Sequence, residues 1–356
     1  VEPTSNGIGG DSFALVWVKD KLYGLNSSGK SPKTISIESL KEKGVEEIPK
    51  YGFIPVTVPG APAAWAELSK RFGKLPLTEV LEPAIRYASE GYVLTPNVAK
   101  LWGNAYKLFK ENFVGEEFDN WFKTFAPSGR APKAGEVWKS PDHAETLKEI
   151  ARTNAESFYK GDLADKIDAF SRKYNGYIRK EDLEEFECEW VDPISVNYRG
   201  YDVWEIPPNG HGIVALIALN IAKGFEFGAR DTVDTLHKQI ESMKLAFVDG
   251  QTHIADPRMM EVTVEQLLSE EYAQKRRSLI GDTAIMPEPG DPATGGTVYM
   301  ATADDEGNMV SFIQSNYMGF GSGLVVPGTG IALHNRGHNF TLDPGHVNAL
   351  APSKKP

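Results

Sequence analysis

The sequence has only one cysteine in 356 residues, Cys188. A single cysteine excludes an internal disulfide and any metal site built from several cysteines. Such a residue is more often a small apolar filler than a nucleophile. Histidine is also scarce, and His334 and His338 are four residues apart. Gly337 lies between them and a Pro-Gly-Thr-Gly run precedes them, which predicts a loop instead of a helix, so no metal ion is expected there.

The sequence also lacks a long apolar run and an excess of positive charge. Its longest apolar run, residues 213–221, is shorter than the roughly 18 residues that span a bilayer, and it predicts a buried helix. The 38 basic and 49 acidic residues give a formal charge of −11, which argues against nucleic acid or an anionic membrane as a partner. We therefore expect a soluble protein without a membrane-spanning segment. The compartment is left open, with a cytoplasmic one slightly favoured, and so is assembly into a homo-oligomer.

Hydrophobic periodicity predicts a helical middle region between strands at the two ends of the chain. Helices are expected over residues 61–71, 96–113, 143–174 (a pair), 213–223 and 234–248, and a further helix is capped by Thr78 and carries an apolar stripe to Ala88. Within residues 234–248, Leu236, Ile240, Met243 and Phe247 share one face and are predicted to lie in the core. Residues 116–139 are expected to form an irregular loop packed by its own aromatic side chains.

A threonine stands at the start of a predicted hairpin near the end of the chain. Gly295, Gly296 and Thr297 lead into an apolar strand at 298–303, a turn at 304–308 and a returning strand at 309–313. The preceding residues, 286–296, contain three prolines and three glycines and predict an exposed loop. Gly-Gly-Thr before a strand is usually only a turn. It is also what a self-cleaving hydrolase needs, because a Thr with a free α-amine carries its own general base.

The surrounding motifs resemble those of the γ-glutamyltranspeptidases, in that family's order and over nearly the whole chain. The similar features are Thr297, the turn ending at Asn308, and the segments 3–10, 58–60, 83–85, 198–200, 207–210, 241–247, 255–257, 320–323, 327–331 and 335–340. The resemblance implies an α/β fold, a four-layer αββα N-terminal-nucleophile hydrolase sandwich with a helical middle region.

The resemblance also implies cleavage between Gly296 and Thr297. Residues 1–296 would be the large-subunit region, ending in a processing loop at 281–296. Residues 297–356 would begin the small subunit, and both would form one intertwined domain. Val1 is not Met, and the chain is interpreted as a fragment lacking both ends.

The resemblance assigns site residues one by one. Thr297 matches the nucleophile, and Ser315 stands where a supporting Thr is expected. Tyr317 takes the place of an Asn, with Asn316 adjacent. Arg336 and Asn339 replace the Gln and Asp that hold a substrate's α-amino group, so that an ammonium would meet a cation.

A substrate-gripping Arg is missing from the loop at Ser28, although Lys30 lies nearby. The pocket therefore predicts an acyl group without an α-amine, and Arg336 could bind a carboxylate bidentately.

The function that we expect is a γ-glutamyltranspeptidase-like amidohydrolase or acyltransferase. It would act on small-molecule amides through a Thr297 acyl-enzyme, without a cofactor, and its γ-glutamyl specificity is doubtful. Two alternatives are an uncleaved, non-catalytic binding relative and a hydrolase of another small amide such as oxamate. A remote alternative is a nucleotide site, because residues 24–31 match the phosphate-loop pattern. Pro32 disfavours the helix that this pattern requires.

Overall fold

The computed structural model describes residues 2–286 and 297–356. Its strands are β1 (Asp11–Val18), β2 (Lys21–Ser27), β3 (Tyr92–Val93), β4 (Val137–Trp138), β5 (Glu189–Val191), β6 (Ile194–Tyr198), β7 (Tyr201–Glu205), β8 (Val298–Ala303) and β9 (Met309–Ser315).

The helices are α1 (Ile37–Lys41), α2 (Ala61–Phe72), α3 (Leu77–Val80), α4 (Glu82–Glu90), α5 (Pro96–Asn112), α6 (Asp119–Phe125), α7 (Pro141–Thr153), α8 (Glu156–Lys160), α9 (Asp162–Lys173), α10 (Lys180–Glu184), α11 (Gly212–Ala222), α12 (Val233–His253), α13 (Val264–Leu267) and α14 (Glu270–Arg277). Short 3-10 helices cover Glu116–Phe118 and Arg336–Asn339.

A five-stranded antiparallel sheet of order β5-β2-β1-β9-β8 joins the two ends of the chain. Alternating apolar residues on β1 and β9 turn Ala14, Val16 and Phe312 to one face, where α2 packs with Ala64. The register of this sheet sets up the site. Asp11 at the start of β1 lies opposite Ser315 at the end of β9, and Val298 of β8 pairs with Gln314. Thr297 therefore enters the sheet on one side of Ser315, and Asp11 lies on the other.

The helical middle region builds two further cores. In one, α7, α8 and α9 pack around Ile150, Phe158 and Ile167 and against Leu333. In the other, rings from α5 and α6 surround Phe320, which is 1% exposed. Residues from 2–286 and from 297–356 thus share the same apolar interiors.

Three sequence expectations differ from the structure. Residues 116–139 contain helix α6, because Trp121 and Phe125 are fully buried against α5 and stabilise a helical turn. The segment 143–174 forms three helices, since Asn154 and Ala155 adopt left-handed angles between α7 and α8. The predicted core face of α12 is half exposed in the described structure, with Ile240 at 56% and Phe247 at 49%.

Candidate active site

Thr297 and Ser315 are brought together by strand register. Their hydroxyl oxygens lie 3.1 Å apart, within hydrogen-bonding distance. Ser315 is buried, and its Oγ also accepts a 2.8 Å hydrogen bond from the backbone N–H of Tyr317. That bond fixes the position of the serine oxygen. Thr297 itself is exposed, so an incoming carbonyl group can reach its hydroxyl.

The turn after Ser315 packs tightly against the glycine-rich segment near the start of the chain. A side chain at Gly10 would place its Cβ 2.5 Å from the Ser315 carbonyl oxygen, closer than any contact that can be tolerated. The Asn316 side chain is fully buried there, and neither amide atom has a hydrogen-bond partner within residues 2–286 and 297–356. Tyr317 follows with a φ of 72°, which turns the chain toward the cleft.

Arg336 is held by a carboxylate that the sequence analysis did not include. The Nε of Arg336 lies 3.4 Å from Oδ2 of Asp11, whose side chain is fully buried. Arg336 is therefore not the isolated cation that the sequence predicts, because the ion pair with Asp11 offsets most of its charge. His334 is equally buried, with Nδ1 3.4 Å from the same oxygen.

Tyr317 lies beside Arg336 and contacts Asn339, and neither of the two lines the cleft that contains Thr297. The Tyr317 hydroxyl donates a hydrogen bond to Oδ1 of Asn339, and the Arg336 guanidinium lies 5.0 Å from the centre of the Tyr317 ring. Burial raises the pKa of Tyr317 above its ordinary value, so the phenol remains a neutral donor at neutral pH. The structure therefore brings Arg336, Tyr317 and Asn339 close together.

Thr297, Ser315 and Arg336 line one cleft of about 610 Å³. Asp11 and His211 also line it, and its apolar wall is formed by Phe13, Leu15, Trp204, Ile206, Tyr299 and Ile313. A cleft of this size takes a small organic molecule. Its lining combines this apolar wall with a hydroxyl pair, the Arg336 guanidinium and the carboxyl groups of Asp11 and Glu205, so an acyl group with an anionic end has a cationic partner there.

Ser28 and Lys30 are not brought to Thr297. Ser28 is buried, and its hydroxyl donates a 2.7 Å hydrogen bond to Oδ1 of Asn26. Both residues line a separate cleft of about 220 Å³. The phosphate-loop pattern also lacks its helix, because the first helix of the described chain begins at Ile37.

Sequence reasoning missed Asp11, His211 and the position of His334. Asp11 stands directly after Gly9 and Gly10 at the start of a strand, which was a usable signal for a buried polar group near a turn. The partners of His334 come from distant segments, since its Nε2 lies 3.0 Å from the carbonyl oxygen of Thr57. No spacing within one segment could have indicated them.

The predicted cleavage site is only partly described. Thr297 lies within the described residues, whereas Gly296 and most of the processing loop at 281–296 lie outside them. Within residues 2–286 and 297–356, no three His, Cys, Asp or Glu side chains are grouped as a metal ion would require. None of the described helices combines the length and the apolar character that crossing a bilayer demands.

Several known proteins are similar to this chain in fold and in sequence. A cephalosporin acylase from Bacillus halodurans, in its crystal structure, matches with a TM-score of 0.96 and 64% identity over 99% of this chain and 66% of its own. A glutathione hydrolase-like YwrD proenzyme of Bacillus subtilis is 35% identical, and an oxamate amidohydrolase proenzyme of Klebsiella pneumoniae is 32% identical. Both matches cover 100% of this chain and 67% of the relative. The chain thus spans about two thirds of the length of these three proteins.

The fold is that of the N-terminal-nucleophile hydrolases, a class of enzymes, and the α/β prediction is confirmed. The model of the gamma-glutamyltranspeptidase family matches residues 1–356. The chain belongs to the γ-glutamyltranspeptidase family, as the sequence motifs predict.

Proposed function

We propose that this chain carries the nucleophile of a self-cleaving amidohydrolase, with Thr297 as the attacking residue. The observation that carries the proposal is the Thr297–Ser315 hydroxyl pair in a cleft that also contains the Arg336 guanidinium. Two relatives are named as proenzymes, which supports processing in this chain as well. Amide hydrolysis itself agrees with the names amidohydrolase and acylase among its relatives.

Maturation would begin with Thr297 Oγ attacking the carbonyl carbon of Gly296. The peptide C–N bond breaks, an ester forms at Oγ, and the nitrogen leaves as the α-amine of Thr297. Water then hydrolyses the ester, which releases the carboxylate of Gly296 and restores the hydroxyl. Ser315 would hold the Thr297 hydroxyl in place during the attack. The free amine then serves as the general base that the described cleft otherwise lacks beside Thr297.

Turnover would use the same hydroxyl on an external amide. Thr297 Oγ attacks the acyl carbon while the α-amine takes its proton and delivers it to the departing nitrogen. The amine product leaves, an acyl-enzyme remains, and water completes hydrolysis. Transfer of the acyl group to another amine would need only a different acceptor at this last step.

The acyl group that fits best carries a carboxylate and no α-amine. Arg336 offers a guanidinium at the wall of the cleft. Asn339, which Tyr317 contacts, is a neutral amide where the family resemblance places the anion for a substrate ammonium. Because Asp11 neutralises much of the charge on Arg336, a substrate ammonium at this position has no counter-ion and meets little repulsion. We expect a penalty of about 1.5–3 kcal/mol for a γ-glutamyl amide relative to its des-amino glutaryl analogue, or roughly 10- to 100-fold in kcat/KM.

A small dicarboxylic monoamide such as oxamate is a second candidate substrate, favoured by the oxamate amidohydrolase relative and by the same guanidinium. An uncleaved binding protein remains the alternative to an enzyme. Denaturing electrophoresis of the full-length protein distinguishes the two. The enzyme gives two fragments, and N-terminal sequencing of the smaller one begins at Thr297, whereas an uncleaved band after long incubation supports the binding protein.

A substrate panel then tests the acyl preference. It contains γ-glutamyl and glutaryl p-nitroanilides and oxamate, each with the matured protein. Release of nitroaniline from the glutaryl compound at the higher kcat/KM supports the proposal. Efficient turnover of the γ-glutamyl compound with none of the glutaryl compound would contradict it.

A further inference from the structure

Asp11 is a buried carboxylate in the wall of the Thr297 cleft. Its side chain is 0% exposed, and Oδ1 accepts a 3.3 Å hydrogen bond from the backbone N–H of Gly29. Oδ2 has no hydrogen-bond partner within the described residues, although Arg336 Nε and His334 Nδ1 both lie 3.4 Å from it. A carboxylate buried this completely needs a compensating positive charge.

Arg336 provides that charge. Burial lowers the pKa of His334 below its ordinary value, so this ring is neutral at neutral pH and cannot balance a carboxylate. Arg336 is then the one charged partner within ion-pair distance of Asp11 in the described part of the chain. The pair is close to neutral as a whole, which a simple count of site charges from the sequence does not show.

The pairing also sets the direction of the guanidinium. Nε is buried and faces Oδ2 of Asp11 at 3.4 Å, an ion-pair contact without hydrogen-bonding geometry. The Arg336 side chain is 22% exposed and lines the cleft. A guanidinium held by its Nε presents its terminal nitrogens as a fork, the geometry that binds a carboxylate through two hydrogen bonds.

We propose that Asp11 is a specificity-determining residue whose negative charge Arg336 masks. With Arg336 in place, Asp11 orients the fork for an acyl carboxylate. Without Arg336, the same carboxylate is left unpaired at the cleft wall and attracts a substrate ammonium. This inference rests on the proposed amidohydrolase function and assigns its acyl preference to the pair rather than to Arg336 and Asn339 alone.

A double-mutant cycle on the full-length, matured protein tests the assignment. The variants are Asp11→Asn, Arg336→Gln and the two together, each with glutaryl and γ-glutamyl p-nitroanilide. The γ-glutamyl compound carries the carboxylate of the glutaryl compound and an ammonium besides, so the ratio of their kcat/KM values isolates the ammonium. We expect this γ-glutamyl to glutaryl ratio to be about 10-fold or more higher in Arg336→Gln than in the double variant, since close charge pairs couple at that level or above. Glutaryl kcat/KM alone should be lower in Arg336→Gln, because an unmasked Asp11 repels the carboxylate.

The two Arg336 variants differ only in the charge at position 11, so each is the matched control of the other. An equal γ-glutamyl to glutaryl ratio in both, within twofold, overturns the role of Asp11 while leaving the hydrolase intact. A wild-type protein that neither cleaves itself nor hydrolyses any amide of the panel, oxamate included, overturns the proposed function, and this assignment with it.

Arg336→Gln leaves a buried carboxylate without a partner and can fail to fold or mature. The Asp11→Asn variant then decides, because asparagine keeps the shape of the side chain and removes only its charge. We expect a KM for the γ-glutamyl compound raised several-fold, with kcat and the rate of self-cleavage within twofold of wild type. An unchanged KM contradicts the assignment, and an equal loss of kcat for both compounds indicates a structural role instead.

Discussion

Thr297 and Arg336 line the same cleft, yet different kinds of backbone hold them. Thr297 enters regular strand pairing, where the register of β8 with β9 sets its distance to Ser315. Arg336 begins a single 3-10 turn whose Gly337 N–H bonds the distant Pro55 carbonyl oxygen at 2.9 Å. The comparison separates two tasks. In the proposed mechanism the nucleophile end, around Thr297, needs one hydroxyl pair at one distance. The acyl end, around Arg336, needs a balance of charges.

The largest expected effect comes from removing the hydroxyl of Thr297 at the nucleophile end. Thr297→Ala should abolish self-cleavage and lower turnover by at least about four orders of magnitude, because no other group can form the acyl-enzyme. Thr297→Ser keeps a hydroxyl and, after cleavage, an amine, and should retain partial function. Electrophoresis and nitroaniline release measure both steps, and circular dichroism checks that the fold is retained. Maturation and turnover by the Ala variant would move the nucleophile elsewhere, with Thr294 as the next candidate.

The second prediction concerns a substitution of Arg336 that changes the acyl end and leaves the nucleophile end unchanged. Arg336→Lys keeps the positive charge near Asp11 but loses the planar fork. Losing one charge-assisted hydrogen bond corresponds to about 1.5–3 kcal/mol, so kcat/KM for the glutaryl compound should fall roughly 10- to 100-fold. Self-cleavage should continue at the wild-type rate, since that reaction has no acyl carboxylate to bind. A parallel loss of cleavage would show that the two ends are not separable.

The same contrast explains what the sequence could and could not predict. The hairpin with Thr297 at its start was predictable, because alternating apolar residues and a turn specify strands and their register. Ser315 followed from the motif order. The Asp11–Arg336 pair was not predictable, since 325 positions (336 − 11) separate its members and no local pattern reports their contact. The placement of Ser28 and Lys30 in another cleft was missed for a related reason, because matching a loop to a family motif does not give the direction of its side chains in space.

Part of the fold was also beyond local patterns. The helical spacing of Leu236, Ile240, Met243 and Phe247 correctly predicts a helix, α12, but not what covers its apolar face. Periodicity identifies which residues share a face, and burial depends on which other segments pack against it. The aromatic residues around Trp121 were predicted to be packed, and they are, but against α5 and Phe320 as well as each other.

The third prediction tests the contribution of the Ser315 hydroxyl at the nucleophile end. Ser315→Ala removes the hydroxyl 3.1 Å from Thr297 and should slow both self-cleavage and turnover about 10-fold, the equivalent of one hydrogen bond at 1.4 kcal/mol. Ser315→Thr keeps the hydroxyl and serves as the matched control, with rates near wild type. Time courses of fragment formation give the first rate and initial velocities the second. If only one of the two rates changes, the hydroxyl pair serves one step and not both.

The smallest expected effect comes from removing the Tyr317 hydroxyl at the acyl end. Tyr317→Phe removes the hydroxyl that donates to Asn339 and keeps the ring under Arg336. One lost neutral hydrogen bond at a partly buried position corresponds to about 0.5–1 kcal/mol, so KM for the glutaryl compound should rise roughly two- to fivefold with kcat unchanged.

The pH profile provides a second measurement of the same bond. Burial raises the pKa of Tyr317 above its model-compound value of 10.0, so the neutral donor persists throughout the usual assay range. The difference in KM between wild type and Tyr317→Phe should therefore stay constant from about pH 7 to pH 9. A difference that disappears toward pH 9 would mean that the phenol ionises in this range and that its surroundings are more polar than the structure indicates. A slower self-cleavage in this variant would instead tie Tyr317 to the nucleophile end, through its backbone bond to Ser315.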